Sequence, residues 1–402
     1  MADTKYGAAR RGESTARKID WYTRPSELEG DVADVAPKRG HMDLPFLVLT
    51  LIMLAFGIVM ILSASFARAY YTQGDPTKYF IRQTGFAGLG VALMLVTSRF
   101  RVSTFRRAAL PTLLLSIALL AVVPVIGTRI NGAKRWINLG FTTFQPSEIA
   151  KLAEILMFSA MICTYKKRMS TFKYGVLPFL VIVAVLVALL YLEPHLSASV
   201  IIITIAAIMM FAGGTRLRWF FAGGGLLGAG AYLTVTKFAY ASERITAWLN
   251  PEAMSGDQGY QIIQSLYAIG SGGLFGLGLG QGRQKYLYLP MEHNDYIFSI
   301  YCEELGFIGA MLVLALFAML IIRGYWLALH AGDRFGSLVI TGITSLLALQ
   351  VFLNIAVVTN MIPSTGISLP FFSYGGTALL FQLIEMGVIL AISREIPVSK
   401  AG

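Results

Sequence analysis

Asp295 stands where a stretch of mixed chemistry runs into an apolar span: Leu289-Pro290-Met291-Glu292-His293-Asn294-Asp295-Tyr296-Ile297-Phe298. Two more acids, Glu303 and Glu304, follow on the same predicted helix, about 12–13 Å further along at 1.5 Å per residue. A carboxyl group at a membrane boundary is partly desolvated. Its pKa rises towards neutrality, which suits it to general-base work. The competing account of Asp295 is a helix N-terminal acid that offsets the dipole. His293 lies in neither an HExxH nor a Cys/His spacing, so nothing around it marks a metal site.

A second cluster runs from Gly132-Ala133-Lys134-Arg135-Trp136 through Gln145-Pro146-Ser147-Glu148 to Lys151 and Glu154. Pro, Ser and an acid in one turn read as a helix start. Glu148, Lys151 and Glu154 then recur every three residues, so neighbours can meet on the helix surface. Lys151 and Glu154 fall inside an apolar span, where ionisable groups are expensive and point to function. A self-neutralising ion pair that orders the bundle is the alternative. Arg129, Lys134 and Arg135 place positive charge where an anionic ligand would want it.

Residues 270–282 hold seven glycines in thirteen positions, which permits tight turns and close backbone approach. Neither a strict GxGxxG nor a Walker Lys-Ser/Thr occurs, so a nucleotide site is not indicated. An interfacial re-entrant or elbow segment fits better. Residues 363–376 combine two prolines, three glycines and four hydroxyls, which prevents a continuous helix. Non-helical backbone at membrane depth is tolerated where it is buried or lines a cavity; a tight hairpin is the other reading.

The elements that must position these motifs are membrane helices. In 402 residues, 56% are hydrophobic and only 14% charged, with a mean hydropathy of +0.65. A soluble domain carries about 25% charged residues. The expected fold is an all-α polytopic membrane protein with ten transmembrane helices at about 44–66, 80–98, 108–127, 147–164, 174–192, 197–213, 219–239, 297–322, 337–358 and 374–393. Residues 1–42 read as a polar cytoplasmic tail without a signal-peptide core, 43–393 as the membrane domain, and 394–402 as a short cytoplasmic tail.

Twelve Lys and Arg residues in alternate short loops, with Asp333 the one acid among them, place those loops and both termini in the cytoplasm. Trp136, Tyr165, Trp219, Trp248 and Trp326 fit interfacial belts on the two faces. The connection at about 240–296, between the seventh and eighth spans, is then a large extracytoplasmic loop. Its apolar and aromatic residues predict an ordered loop with short interfacial helices. The net charge of +11 is explained by topology, and no nucleic-acid-reading motif is present. Cys163 and Cys302 are expected near opposite faces, too far apart to pair within one chain.

With these motifs in hand, the sequence resembles the shape, elongation, division and sporulation (SEDS) family, the FtsW/RodA peptidoglycan polymerases. The matching stretches are GAKRW with QPSE and Lys151, GYQIIQSLYAIGSGGLFGLGLG at 259–280, LPMEHNDYIFSIYCEELG at 289–306, and IPSTGISLPFFSYGG at 362–376. They recur in family order across essentially all of 44–393, and the long polar tail is more like the division and sporulation branch. The resemblance implies an inverting glycosyltransferase outside the bacterial cytoplasmic membrane, which polymerises lipid II into β-1,4 glycan and releases undecaprenyl pyrophosphate. It implies Asp295 as the essential acid, although Asn294 and Tyr296 stand where the family pattern has Thr and Phe. Glu193-Pro194-His195-Leu196 departs from the Pro-Asp-Leu-Gly of many relatives.

Substrate contacts are expected from Lys134, Arg135, Trp136, Gln145, Glu148 and Lys151 in the first motif. Arg244, Gln261, Ser265, Arg283, Lys285 and His293 join them from the outer segment, and Ser368 and Ser373 from the last motif. Of these, Lys134, Arg135, Arg244, Arg283 and Lys285 would hold pyrophosphate, with a divalent cation, magnesium or manganese, as an option. Glu303 and Glu304 are read as structural or partner-facing. A class B penicillin-binding protein transpeptidase and other divisome or elongasome proteins are the implied partners. Two other readings stay open. A lipid II flippase or ion-coupled transporter would use Lys151, Glu154, Glu303, Glu304 and Glu385 as a relay near mid-membrane; a scaffold for the transpeptidase would not need Asp295.

Overall fold

The computed structural model describes residues 40–396 apart from 131–132, 141, 194, 238 and 254–256. Residues 1–39 of the expected N-terminal tail and 397–402 of the C-terminal tail lie outside the described residues.

The first helix, α1 (Leu44–Gln73), starts at Asp43, whose Oδ1 accepts from the Phe46 amide at 2.9 Å and satisfies one of the orphan donors of the first turn. The same carboxylate is held by Arg323. Next come α2 (Lys78–Thr97) and α3 (Val102–Ile126). A small antiparallel sheet follows, with β1 (Thr128–Ile130), β2 (Ala133–Asn138) and β3 (Thr143–Phe144) in sequential order and Ile137 opposite Phe144. The expected all-α fold is corrected here. The polar stretch from Ala133 to Trp136 cannot continue an apolar helix, and its backbone groups pair across strands instead.

From there the chain runs through α4 (Pro146–Tyr165), α5 (Phe172–Gly175), α6 (Leu177–Leu192), α7 (Leu196–Ala212) and α8 (Leu217–Lys237). The long connection before α11 holds α9 (Ala239–Leu249) and α10 (Asp257–Ser271), and the chain closes with α11 (Ile297–His330), α12 (Arg334–Val358) and α13 (Gly376–Ser393). Among the described residues, seven helical stretches are long and apolar enough to cross a membrane: α1, α2, α3, α5 with α6, α11, α12 and α13. The 17-residue α7 is shorter, and α4 carries Glu148, Lys151 and Glu154. Several helices also outrun their expected ends, since α1 continues to Gln73 and α11 to His330 through residues more polar than their centres.

Burial sorts the helices. In α4, residues from Ala150 to Leu156 are buried in an unbroken run, so it sits inside the bundle. By contrast α3 buries only every third or fourth residue and exposes Leu110, Leu114, Leu115 and Val122, the pattern of a helix with one face to lipid.

The helix α11 breaks at Gly306, whose φ of 67° and ψ of −168° lie in a region open essentially to glycine. A break at that depth frees backbone groups that lipid cannot satisfy. The glycine-rich segment satisfies them: Leu277 and Gly278 donate to the carbonyls of Glu303 and Glu304 at 3.0 and 2.9 Å, while the Phe307 and Ile308 amides donate to Gly273 and Leu274 at 2.9 and 3.1 Å. This approach requires Gly276, because a Cβ there would lie 2.2 Å from the Glu304 carbonyl oxygen.

Candidate active site

The sheet, the starts of α4 and α7, and the two non-helical stretches before α11 and α13 surround a cavity of about 560 Å³. Arg135 and Trp136 reach it from β2, and Gln145, Glu148 and Lys151 from the first turns of α4. His195 and Ser197 come from the start of α7, and Asn294 and Asp295 from the stretch before α11. Ser368 and Ser373 lie in the stretch before α13, with Gln382 and Glu385 below them. Arg82 of α2 and Gln350 of α12 add to the polar lining.

Neither stretch has regular structure, so side chains and local backbone bonds hold them together. Ser373 Oγ donates to the Asn294 carbonyl at 2.7 Å, and the Tyr374 amide donates to the His293 carbonyl at 2.9 Å. Tyr296 Oη donates to Ser364 Oγ at 3.3 Å, and Arg244 Nη1 to the Ser364 carbonyl at 2.6 Å. From α12, Asn354 Nδ2 donates to the carbonyls of Asp295 and Ile367. Below the motif, Arg68 of α1 grips Glu292 with two parallel bonds of 2.7 and 2.8 Å. His293 Nδ1 lies 3.7 Å from the same carboxylate, and its ring packs against Tyr79 and Tyr374.

Burial pushes the Asp295 carboxyl up to about 6, although His293, Arg135 and Arg244 pull it down. An acid in that range ionises near neutral pH and can take a proton from a hydroxyl. Burial raises Glu193 to about 8 against the pull of Arg135, and lowers His195 to about 3, helped by Arg135 and Lys151. His195 is therefore a neutral imidazole on the cavity wall, within 3.3 Å of Gln145 Nε2. Burial also pushes Glu292 up, but His293 and Arg68 outweigh it and hold the carboxyl below its ordinary range.

Of the site residues read from sequence, Asp295, Arg135, Trp136, Gln145, Glu148, Lys151, Ser368 and Ser373 line the cavity together. Lys151 pairs with Glu148 at 2.7 Å. Glu154 is fully buried one turn further on, and its oxygens make no hydrogen bond among the described residues.

The remaining expected residues point elsewhere. Lys134 donates to the Pro124 carbonyl at the end of α3, and Gln261 to the Pro290 carbonyl. Ser265 of α10 bonds Ser299 Oγ and the Val358 carbonyl. Lys285 is buried against Glu304 at 2.7 Å and Ser63, and the Arg283 side chain is exposed while its amide donates to Glu303. Glu303 and Glu304 thus anchor the glycine-rich segment, Glu304 also accepting from the Gly280 amide at 3.0 Å. Among the described residues, no three His, Cys, Asp or Glu side chains converge as a metal-binding group. Cys163 and Cys302 are both free thiols.

Sequence reasoning overlooked Arg82, Gln350, Gln382 and Asn354. Gln350, Gln382 and Asn354 are single amides within apolar helices, and the cost of partly or wholly burying them was the available signal; Arg82, exposed on α2 beside Gln83, carries no such signal. His195 had been noticed only as a departure from a motif.

Fold and site together define a multi-pass helical membrane protein with a charged cavity walled by broken backbone. The chain belongs to the cell cycle protein family of FtsW, RodA and SpoVE, which it matches over residues 43–397. It is 41% identical over 360 residues to the stage V sporulation protein E of Bacillus subtilis (strain 168), covering 89% of this chain and 98% of that one. A probable peptidoglycan glycosyltransferase FtsW of Trichlorobacter lovleyi is 40% identical over 358 residues, covering 89% and 94%.

Two solved structures share the fold. One belongs to a peptidoglycan synthase complex studied for the coordination of polymerization and crosslinking, with a TM-score of 0.74, 27% identity and coverage of 89% of this chain and 99% of that one. The other is the rod shape determining protein RodA of Thermus thermophilus, with a TM-score of 0.66, 28% identity and coverage of 88% and 97%.

Proposed function

We propose that this protein is a peptidoglycan glycosyltransferase that polymerises lipid II into β-1,4 glycan at the outer face of the bacterial cytoplasmic membrane, with Asp295 as general base. The relatives named as glycosyltransferases support the activity. The observation that carries the residue assignment is a carboxyl pushed up to about 6 on the wall of a cavity that also presents Arg82, Arg135 and Lys151.

In this reading Asp295 removes the proton from the acceptor sugar hydroxyl, whose oxygen attacks the anomeric carbon of the donor. The bond from that carbon to the pyrophosphate oxygen breaks with inversion, and undecaprenyl pyrophosphate leaves. Arg135, Arg82 and Lys151 offset the charge that develops on the leaving group. Arg82, Arg135 and Lys151 line the cavity, whereas Lys134, Arg244, Arg283 and Lys285 do not, so the cavity cations are the better pyrophosphate ligands. Neutral His195 and the amides of Gln145, Gln350 and Gln382 are suited to sugar hydroxyl and N-acetyl groups. A divalent cation would add positive charge at the pyrophosphate.

The helices α4, α7 and α8 complete ten spans with the seven apolar stretches. An even count puts both termini on one side, and the basic loops make that side cytoplasmic. The outer segment from α9 to the start of α11 is then extracytoplasmic, with 272–282 dipping beside α11. Similarity to a chain of a synthase complex favours a class B penicillin-binding protein as partner, alongside other division or elongation proteins. Purified protein incubated with lipid II in detergent tests the reading, since a carrier makes no polymer there. Wild type is expected to form glycan and Asp295→Asn none, at equal amounts of folded protein; polymer from the variant would remove Asp295 from its role.

A further inference from the structure

Asp295 sits in irregular backbone, yet a base must be held to a fraction of an ångström. Most bonds around it link one loop to another, so they could shift as a unit. Arg68 of α1 and Gln261 of α10 hold Glu292 and Pro290, but Asn354 reaches the Asp295 backbone itself from a packed helix. It lies one turn before the end of α12, is fully buried, and is flanked by buried Val351, Ala356, Val357 and Val358. Its Nδ2 donates to the Asp295 carbonyl at 2.8 Å and to the Ile367 carbonyl at 2.7 Å.

Both amide protons are thus spent on two different chain segments. Asn354 Oδ1 makes no hydrogen bond among the described residues. A buried amide that forgoes its acceptor is retained for its donors. The two carbonyls flank the place where the reactive group meets its wall: a Cβ at Gly366 would lie 3.3 Å from Asp295 Oδ2, and Gly366 has a φ of +67°. Asp and Leu have no N–H donor and Ser has one O–H, so neither an isostere nor a smaller polar residue supplies both bonds, and Gln carries the same amide one carbon further out.

We propose that Asn354 is a positioning residue for the reaction, its amide clamping the Asp295 and Ile367 carbonyls so that the carboxyl is held against the Gly366 wall of the cavity. This rests on Asp295 being the base. Without the clamp the two segments separate, the carboxyl becomes better hydrated, and the reacting atoms lose alignment. A displacement of about 1 Å costs on the order of 100-fold in rate. The titratable and charged groups facing Asp295 are His293 from its own segment, Arg135 from β2 and Arg244 from α9. None is removed by a change at 354, so hydration is the variable that moves its ionisation.

The experiment uses the full chain in detergent with lipid II, comparing wild type, Asn354→Leu and Asn354→Ser for kcat, KM, the pH profile and the folded fraction by size exclusion and thermal unfolding. Both variants are expected to lower kcat about 10- to 100-fold per folded molecule with KM within about two-fold. The acid limb should move below its wild-type position as burial of Asp295 is relieved. The serine variant, a smaller and still polar change, keeps the test decisive if leucine fails to fold. Wild-type kcat and an unmoved acid limb in whichever variant folds would overturn the clamp. Asp295→Asn runs in parallel: an inactive Asp295 variant beside unaffected Asn354 variants rejects the clamp alone, whereas an active one removes the base itself and the clamp's purpose with it.

Discussion

Replacing Arg68 with leucine removes one half of an ion pair on which the whole Asp295 motif rests. Glu292 is completely buried, and Arg68 keeps a quarter of its side chain accessible. At their 2.7 Å separation, two unit charges in an effective dielectric of about 20 attract by about 6 kcal/mol. Desolvation of both groups offsets most of that, but taking away one partner strands the other and typically costs about 3–5 kcal/mol. Because Arg68 is partly hydrated, the lower end applies, about 3 kcal/mol. Glu292→Gln alone should destabilise too, and the double variant should be less affected than the sum of the two, by about 2 kcal/mol.

Equilibrium unfolding in mixed micelles, followed by tryptophan fluorescence, reads all four corners of the cycle. The pH dependence has a fixed sign. Glu292 is held below its ordinary range in the folded protein, so its contribution is complete above the unfolded carboxyl value of about 4.3 and disappears as pH falls through the lower folded value. The Arg68 variant should show a weaker acid-side dependence, because His293 still draws the carboxyl down. A single-variant cost under about 0.5 kcal/mol, or a coupling indistinguishable from zero, refutes the reasoning.

Two further outcomes are expected. Because burial pushes Asp295 up to about 6, polymerisation should rise through an acid limb near pH 6 as the base ionises. Arg135→Gln takes away a positive neighbour that lowers that value, so its limb should lie at higher pH; identical profiles would count against the pairing. Gly306→Ala should destabilise by about 2–4 kcal/mol, since it combines a backbone region closed to alanine with a Cβ clash. That Cβ would lie 2.3 Å from the Gly276 amide nitrogen, whereas one at Gly88 meets nothing within 4 Å. Gly88→Ala should therefore unfold like wild type, and equal midpoints for both variants would dismiss the helix break as a constraint.

The helices were legible because apolar runs of membrane length are hard to mistake, and Asp295 was legible because a carboxyl beside such a run is costly. Partners were not. Lys285 and Arg283 looked like pyrophosphate ligands from their charge alone. Only the three-dimensional structure reveals that Lys285 is spent on Glu304, or that Glu303 and Glu304 receive the backbone amides of Gly280, Arg283 and Gln284. Lys134 and Arg135 are adjacent in sequence, and the fold sends one to the end of α3 and the other to the cavity. Asn354 stands out as one amide in an apolar run, but its acceptors carried no pattern at all, lying 59 and 13 positions away. Long-range pairing of this kind has no period for a sequence to display.

The break in α11 leaves its N-terminal turns taking their bearings from the glycine-rich segment beside them, not from the 24 residues that follow Gly306. Those lower turns can be lengthened, tilted or resurfaced to suit a thicker bilayer or a neighbouring span without re-aiming the carboxyl above them.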